Sequence, residues 1–206
     1  MEQIIEIVGV IIGLVYLYFE YHASHWLWRV GILMSLFYIA VFFQAKFYAD
    51  AFIYLYYLAA NIYGVYVWQH YRRKERSLGK ETSEPGAESA DSETAEEQKF
   101  GHVPAGLILP LSLIILALWA VIWFILSHYT DSPVPVGDAL TTASGFVAMY
   151  MMARKYIEHW HLWVMVNAVS SFLYFQQHLY AMGALFILYT VVSVLGYFKW
   201  KRLIRA

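Results

Sequence analysis

The sequence contains no cysteine, which excludes disulfide bonds, thiolate nucleophiles and cysteine-ligated metal sites. Charged residues are also scarce: Asp, Glu, Lys and Arg make up 14% of the 206 residues, whereas 61% are apolar. Such an apolar composition excludes an ordinary soluble domain of this length. The formal net charge of −1 gives no indication of a nucleic acid or another strongly charged partner.

Recognisable catalytic and metal-binding motifs are missing as well. The histidines include the close pairs His22/His25 and His159/His161, but the sequence has neither an HExxH motif nor an evident His–carboxylate triad. It also lacks a Gly-rich phosphate loop and a nucleophile elbow. We therefore predict a protein that is not an enzyme and has no bound metal or cofactor. A membrane-embedded enzyme acting on a lipid or riboside is a remote alternative, and a structural or assembly protein is another.

Seven long apolar segments predict an all-α integral membrane protein with seven transmembrane helices. Each segment has about the 20 residues that a helix needs to cross a bilayer. Short turns near Lys46 and His178 join segments two and three, and segments six and seven, as helical hairpins. The segments run over residues 4–21, 27–45, 47–71, 104–128, 137–154, 159–177 and 179–200.

A polar stretch separates the third apolar segment from the fourth. Residues 72–103 begin with basic residues and continue with Glu and Asp among Ser, Gly and Pro. This composition predicts a solvated, disordered cytoplasmic linker. The linker is either a bare connector or a regulatory, partner-binding tail.

The basic residues are distributed asymmetrically over the predicted loops. If the N-terminus is outside, all but one of the 14 lie on the inner side, and only Lys46 lies outside. Because cytoplasmic loops carry an excess of Lys and Arg, this predicts a multi-pass membrane protein with its N-terminus outside and its C-terminus in the cytoplasm. The inner set is Arg29, Arg72, Arg73, Lys74, Arg76, Lys80, Lys99, Arg154, Lys155, Lys199, Lys201, Arg202 and Arg205.

The chain contains an internal repeat with an offset of 132 residues. Without gaps, Trp28 aligns with Trp160 and Gly64 with Gly196. Because a three-helix unit ends on the side of the membrane opposite to its start, a second copy in the same orientation requires one more crossing. The predicted architecture is therefore 3+1+3, two parallel repeats with solute held between them. The predicted domains are a first repeat (1–71), the linker (72–103), a connecting transmembrane helix (104–129) and a second repeat (137–203).

Polar and aromatic side chains within the predicted helices are the candidate solute-binding residues. Trp160, Trp163 and Asn167 recur at i, i+3 and i+7, so they share one helical face. Tryptophan rings offer stacking and cation–π contacts, and the amide offers a hydrogen-bond donor and acceptor. Trp28 and Ser35 occupy the equivalent positions of the first repeat and are candidates for the opposite wall. The alternative for each is a structural role in an interfacial belt or in helix packing.

Two further residues are candidates for the solute path. Asn61 requires a partner at membrane depth, either protein or solute, and Tyr54 either lines the path or packs. The carboxylates at the outer helix ends, Glu6, Asp50 and Asp138, either are stabilised there by the helix dipole or attract a cationic solute towards the mouth. No obvious carboxylate or lysine lies at the centre of a predicted helix, which favours a uniporter over an ion-coupled carrier.

Several motifs are spread over almost the whole chain apart from the linker: Leu14–Tyr18, Tyr48–Asp50, Ile62–Gly64 followed by Trp68, Ala153–Lys155 and Trp160-x-x-Trp163-x-x-x-Asn167. Together they resemble the PnuC family of vitamin transporters, whose fold is similar to that of the SWEET sugar transporters. The resemblance implies facilitated diffusion (uniport) of nicotinamide riboside across a bacterial inner membrane. It also implies a homotrimer and trapping of the solute by a cytosolic kinase.

Two departures from the riboside-type pattern leave thiamine open as the solute. Tyr54 stands where many riboside transporters of this family place a Gln. The run Tyr18–Ser24 is closer to the thiamine-type members that resemble PnuT. Thiamine uptake is therefore the alternative to nicotinamide riboside.

Overall fold

The structure, a computed structural model, describes residues 2–44, 48–81 and 100–205. Within these ranges the chain forms seven helices and no β-strand, as predicted. The only extended pairing there is an isolated bridge between Gly101 and Tyr156. The helices are α1 (Glu2–Tyr21), α2 (Trp26–Gln44), α3 (Tyr48–Glu81), α4 (Ala105–Tyr129), α5 (Pro135–Ala153), α6 (His159–Gln176) and α7 (Tyr180–Arg205).

The predicted linker differs from the structure at both of its ends. Helix α3 continues to Glu81 rather than ending at residue 71, because residues 72–81 are rich in Arg, Lys and Glu, which favour helix. At the other end, the backbone of Gly101 pairs with Lys155 and Ile157 in the loop between α5 and α6. The middle of the predicted linker, residues 82–99, lies outside the described residues.

The helices pack as two groups of three. Helix α2 contacts both α1 and α3, and α6 contacts both α5 and α7. The groups meet where α1 packs against α7 and where α3 packs against α5. Helix α4 packs against α5 and buries none of its side chains fully.

Four tryptophans form the centre of the apolar core. Trp28, Trp160 and Trp200 are completely buried, and Trp68 is 5% exposed. The Trp28 and Trp68 rings meet edge to face at 5.6 Å, and the Trp160 and Trp200 rings do so at 5.7 Å. The indole N–H of Trp68 donates to the Ala153 carbonyl, so α3 is tied to α5.

Among the described residues, two helices are long and apolar enough to cross a membrane by length and composition. They are Ala105–Tyr129 and the Met182–Arg202 part of α7, with mean hydropathies of 2.7 and 1.6. Helix α4 exposes apolar side chains on most of its faces, such as Leu109, Leu113 and Val121. A helix that is apolar all round is suited to contact with lipid.

Candidate functional site

A cavity of about 320 Å³ lies between the two groups of three helices. Its volume is in the range of small-molecule binding sites. Every helix except α4 contributes to its wall. The lining residues are Gly13, Tyr16, Leu17, Glu20, Gly31, Met34, Ser35, Tyr54, Tyr57, Asn61, Met149, Trp163, Val166, Asn167, Phe186, Tyr189 and Ser193.

Most of the wall consists of residue pairs that the sequence offset of 132 relates. Each member of such a pair lines the cavity from its own group of helices, and only Gly13, Tyr16 and Glu20 line it without their counterparts. The cavity is therefore bounded by equivalent positions on both sides. The pairs are Leu17/Met149, Gly31/Trp163, Met34/Val166, Ser35/Asn167, Tyr54/Phe186, Tyr57/Tyr189 and Asn61/Ser193.

The predicted residue Asn167 forms a hydrogen-bonded pair with Ser193 on the α6–α7 side. The Asn167 amide N–H donates to the Ser193 hydroxyl oxygen at 3.1 Å, and that hydroxyl donates to the Tyr189 carbonyl at 2.8 Å. Asn167 is 8% exposed, so its remaining polar capacity faces the cavity rather than bulk water. Trp163 lies one turn earlier on the same helix and also lines the cavity.

The α2–α3 side carries the same pair with the residue types exchanged. The Asn61 amide N–H donates to the Tyr57 carbonyl at 2.7 Å and, more weakly, to the Ser35 hydroxyl oxygen at 3.4 Å. The Ser35 hydroxyl donates to the Gly31 carbonyl. A side chain at Gly31 would collide with the Asn61 amide, so the glycine makes room for it.

Trp28 and Trp160 are predicted site residues that the structure does not bring to the cavity. Both rings are completely buried, and neither lines the cavity. Each ring covers a glycine of the neighbouring helix, Trp28 on Gly64 and Trp160 on Gly196. Trp160 and Asn167 share a helical face, but their separation of seven residues places Trp160 about 10 Å farther along the helix axis, beyond the cavity. The cavity ends before it reaches Trp160.

Unpaired polar atoms on the residues that line the cavity determine which polar groups of a solute can be hydrogen-bonded there. The indole nitrogen of Trp163 is a buried donor without a partner among the described residues. The side-chain amide oxygen of Asn61 is a buried acceptor that also has no partner among them. Buried polar groups are usually hydrogen-bonded, so a donor and an acceptor left open in one cavity indicate a ligand. The two groups suit a planar solute with a polar substituent.

Tyrosines supply much of the aromatic surface, and sequence reasoning found only one of them. Tyr54 stacks on Tyr38 with ring centroids 4.8 Å apart and meets Tyr57 edge to face at 5.7 Å. Tyr57 and Tyr189 line the cavity from α3 and α7. Their equivalence across the repeat was the signal that could have singled them out of 18 tyrosines.

Glu20 is the residue that sequence reasoning missed altogether. It lies near the end of α1, but it is only 4% exposed and it lines the cavity. A carboxylate near a helix end is therefore part of the cavity wall, although none lies at the centre of the helix. Asp138, in contrast, occupies the first turn of α5 and accepts a hydrogen bond from Ser132 at 2.7 Å. The side chains of Glu6 and Asp50 lie outside the described residues.

Comparison with known proteins places the chain among transporters. The nicotinamide mononucleotide transporter family matches residues 3–202. The nicotinamide riboside transporter PnuC of Escherichia coli K12 is 26% identical over 165 residues, which cover 78% of this chain and 69% of that protein. The PnuC protein of Neisseria mucosa is 24% identical over 182 residues, which cover 85% of this chain and 63% of that protein.

A solved structure has the same fold. The crystal structure of the vitamin B3 transporter PnuC aligns with 96% of this chain and 80% of its own, with a TM-score of 0.65 and 22% identity. The relatives are named as transporters, in agreement with the prediction that the chain is not an enzyme. Because the family match extends over nearly the whole sequence, this chain belongs to the PnuC-type nicotinamide mononucleotide transporter family.

Proposed function

We propose that the chain is a membrane transporter whose solute binds in the cavity between two three-helix repeats. The observation that carries this proposal is the cavity wall, which equivalent positions of both helix groups line in seven pairs. Transporters built from parallel repeats hold their solute at such an interface and open by rocking one half against the other. The matched walls support alternating access around a fixed site.

The proposed architecture is the 3+1+3, SWEET-like arrangement, with residues 1–71 and 137–203 as repeats and α4 as the connecting helix. Matching contacts between the halves support it. A side chain at Gly13 would lie 3.3 Å from the Tyr189 hydroxyl, and a side chain at Gly145 would lie 3.3 Å from the Tyr57 hydroxyl. The sequence offset converts each of these contacts into the other, as a two-fold axis between the halves would.

The proposed solute is nicotinamide riboside, as in the named relatives. The proposed binding residues are Trp163, Asn167, Ser35, Tyr54 and Asn61, all of which line the cavity. An aromatic ring carrying an amide would stack on the indole or the tyrosines and use the open donor and acceptor. Trp28 and Trp160 are proposed to support the site from the core rather than to touch the solute.

Thiamine is the second candidate solute. Tyr54 favours it, because this side chain occupies the cavity wall with an aromatic ring where many riboside transporters of this family have a glutamine amide. A ring in place of an amide exchanges hydrogen-bonding capacity for stacking area. Both vitamins carry a permanently charged ring, so cation–π contacts do not distinguish between them.

We further propose facilitated diffusion in a homotrimer of the bacterial inner membrane, with the N-terminus outside, the C-terminus inside and a cytosolic kinase trapping the solute. The resemblance and the distribution of basic residues support this assignment. Uptake into proteoliposomes should continue when the proton and sodium gradients are collapsed. A large loss of rate on collapse would contradict uniport. The test is needed because Glu20 is a buried carboxylate, and buried carboxylates commonly couple transport to an ion gradient.

Binding isotherms of the purified protein with nicotinamide riboside and with thiamine test the proposed function. We expect saturable binding of at least one, with affinity reduced by Asn61→Ala and by Trp163→Leu. Thr190→Ala is the matched control, because its hydroxyl bonds its own helix at Phe186 and does not line the cavity. Absence of binding to both vitamins would contradict the assignment.

A further inference from the structure

Among the described residues, Glu20 is the only carboxylate that lines the cavity. None of the residues that line the cavity carries an amine, a guanidinium or an imidazole. The remaining lining side chains are apolar or carry a hydroxyl, an amide or an indole. Any charge that the wall presents to a solute is therefore negative and comes from this single position.

One oxygen of the Glu20 carboxylate has no hydrogen-bond partner among the described residues. This atom is Oε1, and it is buried. His159 is fully buried, and its Nε2 atom lies 3.8 Å from Oε1. The other ring nitrogen, Nδ1, lies 2.6 Å from the Tyr156 carbonyl oxygen.

The hydrogen bond to Tyr156 determines what His159 can offer Glu20. A carbonyl only accepts, so Nδ1 must carry the proton in that bond. The Nε2 atom of a neutral ring is then a lone pair that faces Glu20 and cannot donate to it. His159 therefore leaves the carboxylate open toward the cavity instead of neutralising it.

The second helix group shows that the fold does not require an acid at this position. The counterpart of Glu20, 132 residues later, is Met152, which is completely buried in the apolar core. At Glu20 the helices α1 and α7 are linked by a hydrogen bond from the Trp200 indole to the Glu20 backbone carbonyl. This bond does not involve the carboxylate. The second group thus folds with an uncharged side chain at the equivalent position, which points to a role for the Glu20 charge other than folding.

We propose that Glu20 recognises the positive charge of the transported solute. This inference rests on the proposed function, in which the solute is a vitamin with a permanently cationic ring. The carboxylate supplies the countercharge, and Tyr16, Tyr57 and Trp163 line the same cavity with aromatic rings, which attract cations. A buried carboxylate without a partner is costly, so a cation that pairs with it is favoured over an uncharged molecule of the same shape.

The test compares each cationic vitamin with an uncharged analogue of nearly the same shape. The probes are nicotinamide riboside against its reduced dihydro form, and thiamine against its analogue with a thiophene ring in place of thiazolium. Wild-type protein should bind each cation more tightly than its uncharged counterpart. Glu20→Gln should weaken binding of the cations by about tenfold to a hundredfold and change binding of the uncharged analogues by less than about threefold.

Two variants control for folding and for general loss of charge. Glu20→Met copies the residue of the second repeat and should behave like Glu20→Gln, with an unchanged elution profile and thermal stability. Glu158→Gln removes a carboxylate that bonds His102 and the Val103 backbone away from the cavity, and it should leave all four affinities unchanged.

The outcomes separate this inference from the proposed function. Equal affinity of wild-type protein for a cation and its uncharged analogue would overturn charge recognition while leaving the transporter assignment intact. Equal losses for both forms in Glu20→Gln would overturn it too, since they would indicate a structural role. Wild-type protein that binds none of the four probes would overturn the proposed function and the inference together.

Discussion

Two asparagine–serine pairs occupy equivalent places in the cavity wall, with the amide on α6 in one pair and on α3 in the other. Each pair links neighbouring helices of one group. In both pairs the serine hydroxyl donates to a carbonyl four residues earlier on its own helix, which leaves its oxygen as the acceptor for the amide. The helices thereby position the amides, and the exchange of residue types gives the two walls of the cavity different hydrogen-bonding groups.

Replacing Asn167 should reduce solute binding more than it reduces stability. Among the described contacts its amide donates only to Ser193, so one N–H and the carbonyl oxygen are available to a solute. Asn167→Ala should weaken vitamin binding by about tenfold, which corresponds to the loss of one hydrogen bond. Isothermal titration checks this, with the oligomer unchanged in size-exclusion chromatography. An affinity equal to that of wild-type protein would show that the solute does not bind to Asn167 on α6.

Which of the candidate residues reach the cavity could be predicted only in part. Ser35, Asn61 and Asn167 are polar side chains in apolar helices, and this contrast is visible in the sequence alone. Helical periodicity gives the direction of a side chain but not its depth relative to a cavity, which is why Trp160 was grouped with Asn167. Glu20 was hidden for a related reason, since a position near a helix end looks exposed until the neighbouring helix covers it.

At the scale of the helices, close packing in each group depends on a glycine opposite a tryptophan. A Cβ atom at Gly196 would lie 2.5 Å from the Trp160 ring, and a Cβ atom at Gly64 would collide with the Trp28 ring. Both rings are completely buried and have no room to move. The two glycines therefore set the distance between α2 and α3 and between α6 and α7.

Alanine at either glycine should destabilise the protein. Overpacking against an immobile ring costs about 1–3 kcal/mol, which outweighs the helix propensity gained by replacing glycine. Thermal unfolding of Gly64→Ala and Gly196→Ala in detergent, followed by tryptophan fluorescence, measures the effect. Gly106→Ala on α4 is the control, because a Cβ atom there meets nothing within 4 Å. A destabilisation of Gly106→Ala equal to that of the other two variants would contradict the packing explanation.

The positions of the helices were more predictable than their ends. Apolar segments of about 20 residues identified all seven helices of the described chain, because burial in lipid or in a core requires continuous apolar sequence. Helix α3 shows the limit of this signal. Its last turns are polar yet helical. Hydropathy indicates whether a helix lies in an apolar environment, but it does not indicate the residue at which the helix ends.

At the scale of the whole molecule, the two groups are tied together near one end of the cavity. The Trp68 indole on α3 donates to the Ala153 carbonyl at the end of α5, and the Trp200 indole on α7 donates to the Glu20 carbonyl near the end of α1. Each bond crosses from one group to the other. Alternating access would require these ends to separate or pivot, so the tryptophans lie at the contact that rocking must change.

The proposed orientation makes opposite predictions for the two ends of the helices. Exposed residues His178 and Thr130 lie in the loops after α6 and α4, on the predicted outer side, and His22 and Arg202 lie on the predicted cytoplasmic side. Because the chain has no cysteine, a single cysteine at each position can be labelled without background. A membrane-impermeant maleimide applied to intact cells should label His178→Cys and Thr130→Cys, whereas His22→Cys and Arg202→Cys should react only after permeabilisation. The reverse pattern would show that the N-terminus is cytoplasmic, and labelling of one outer and one inner position together would contradict the count of seven spans.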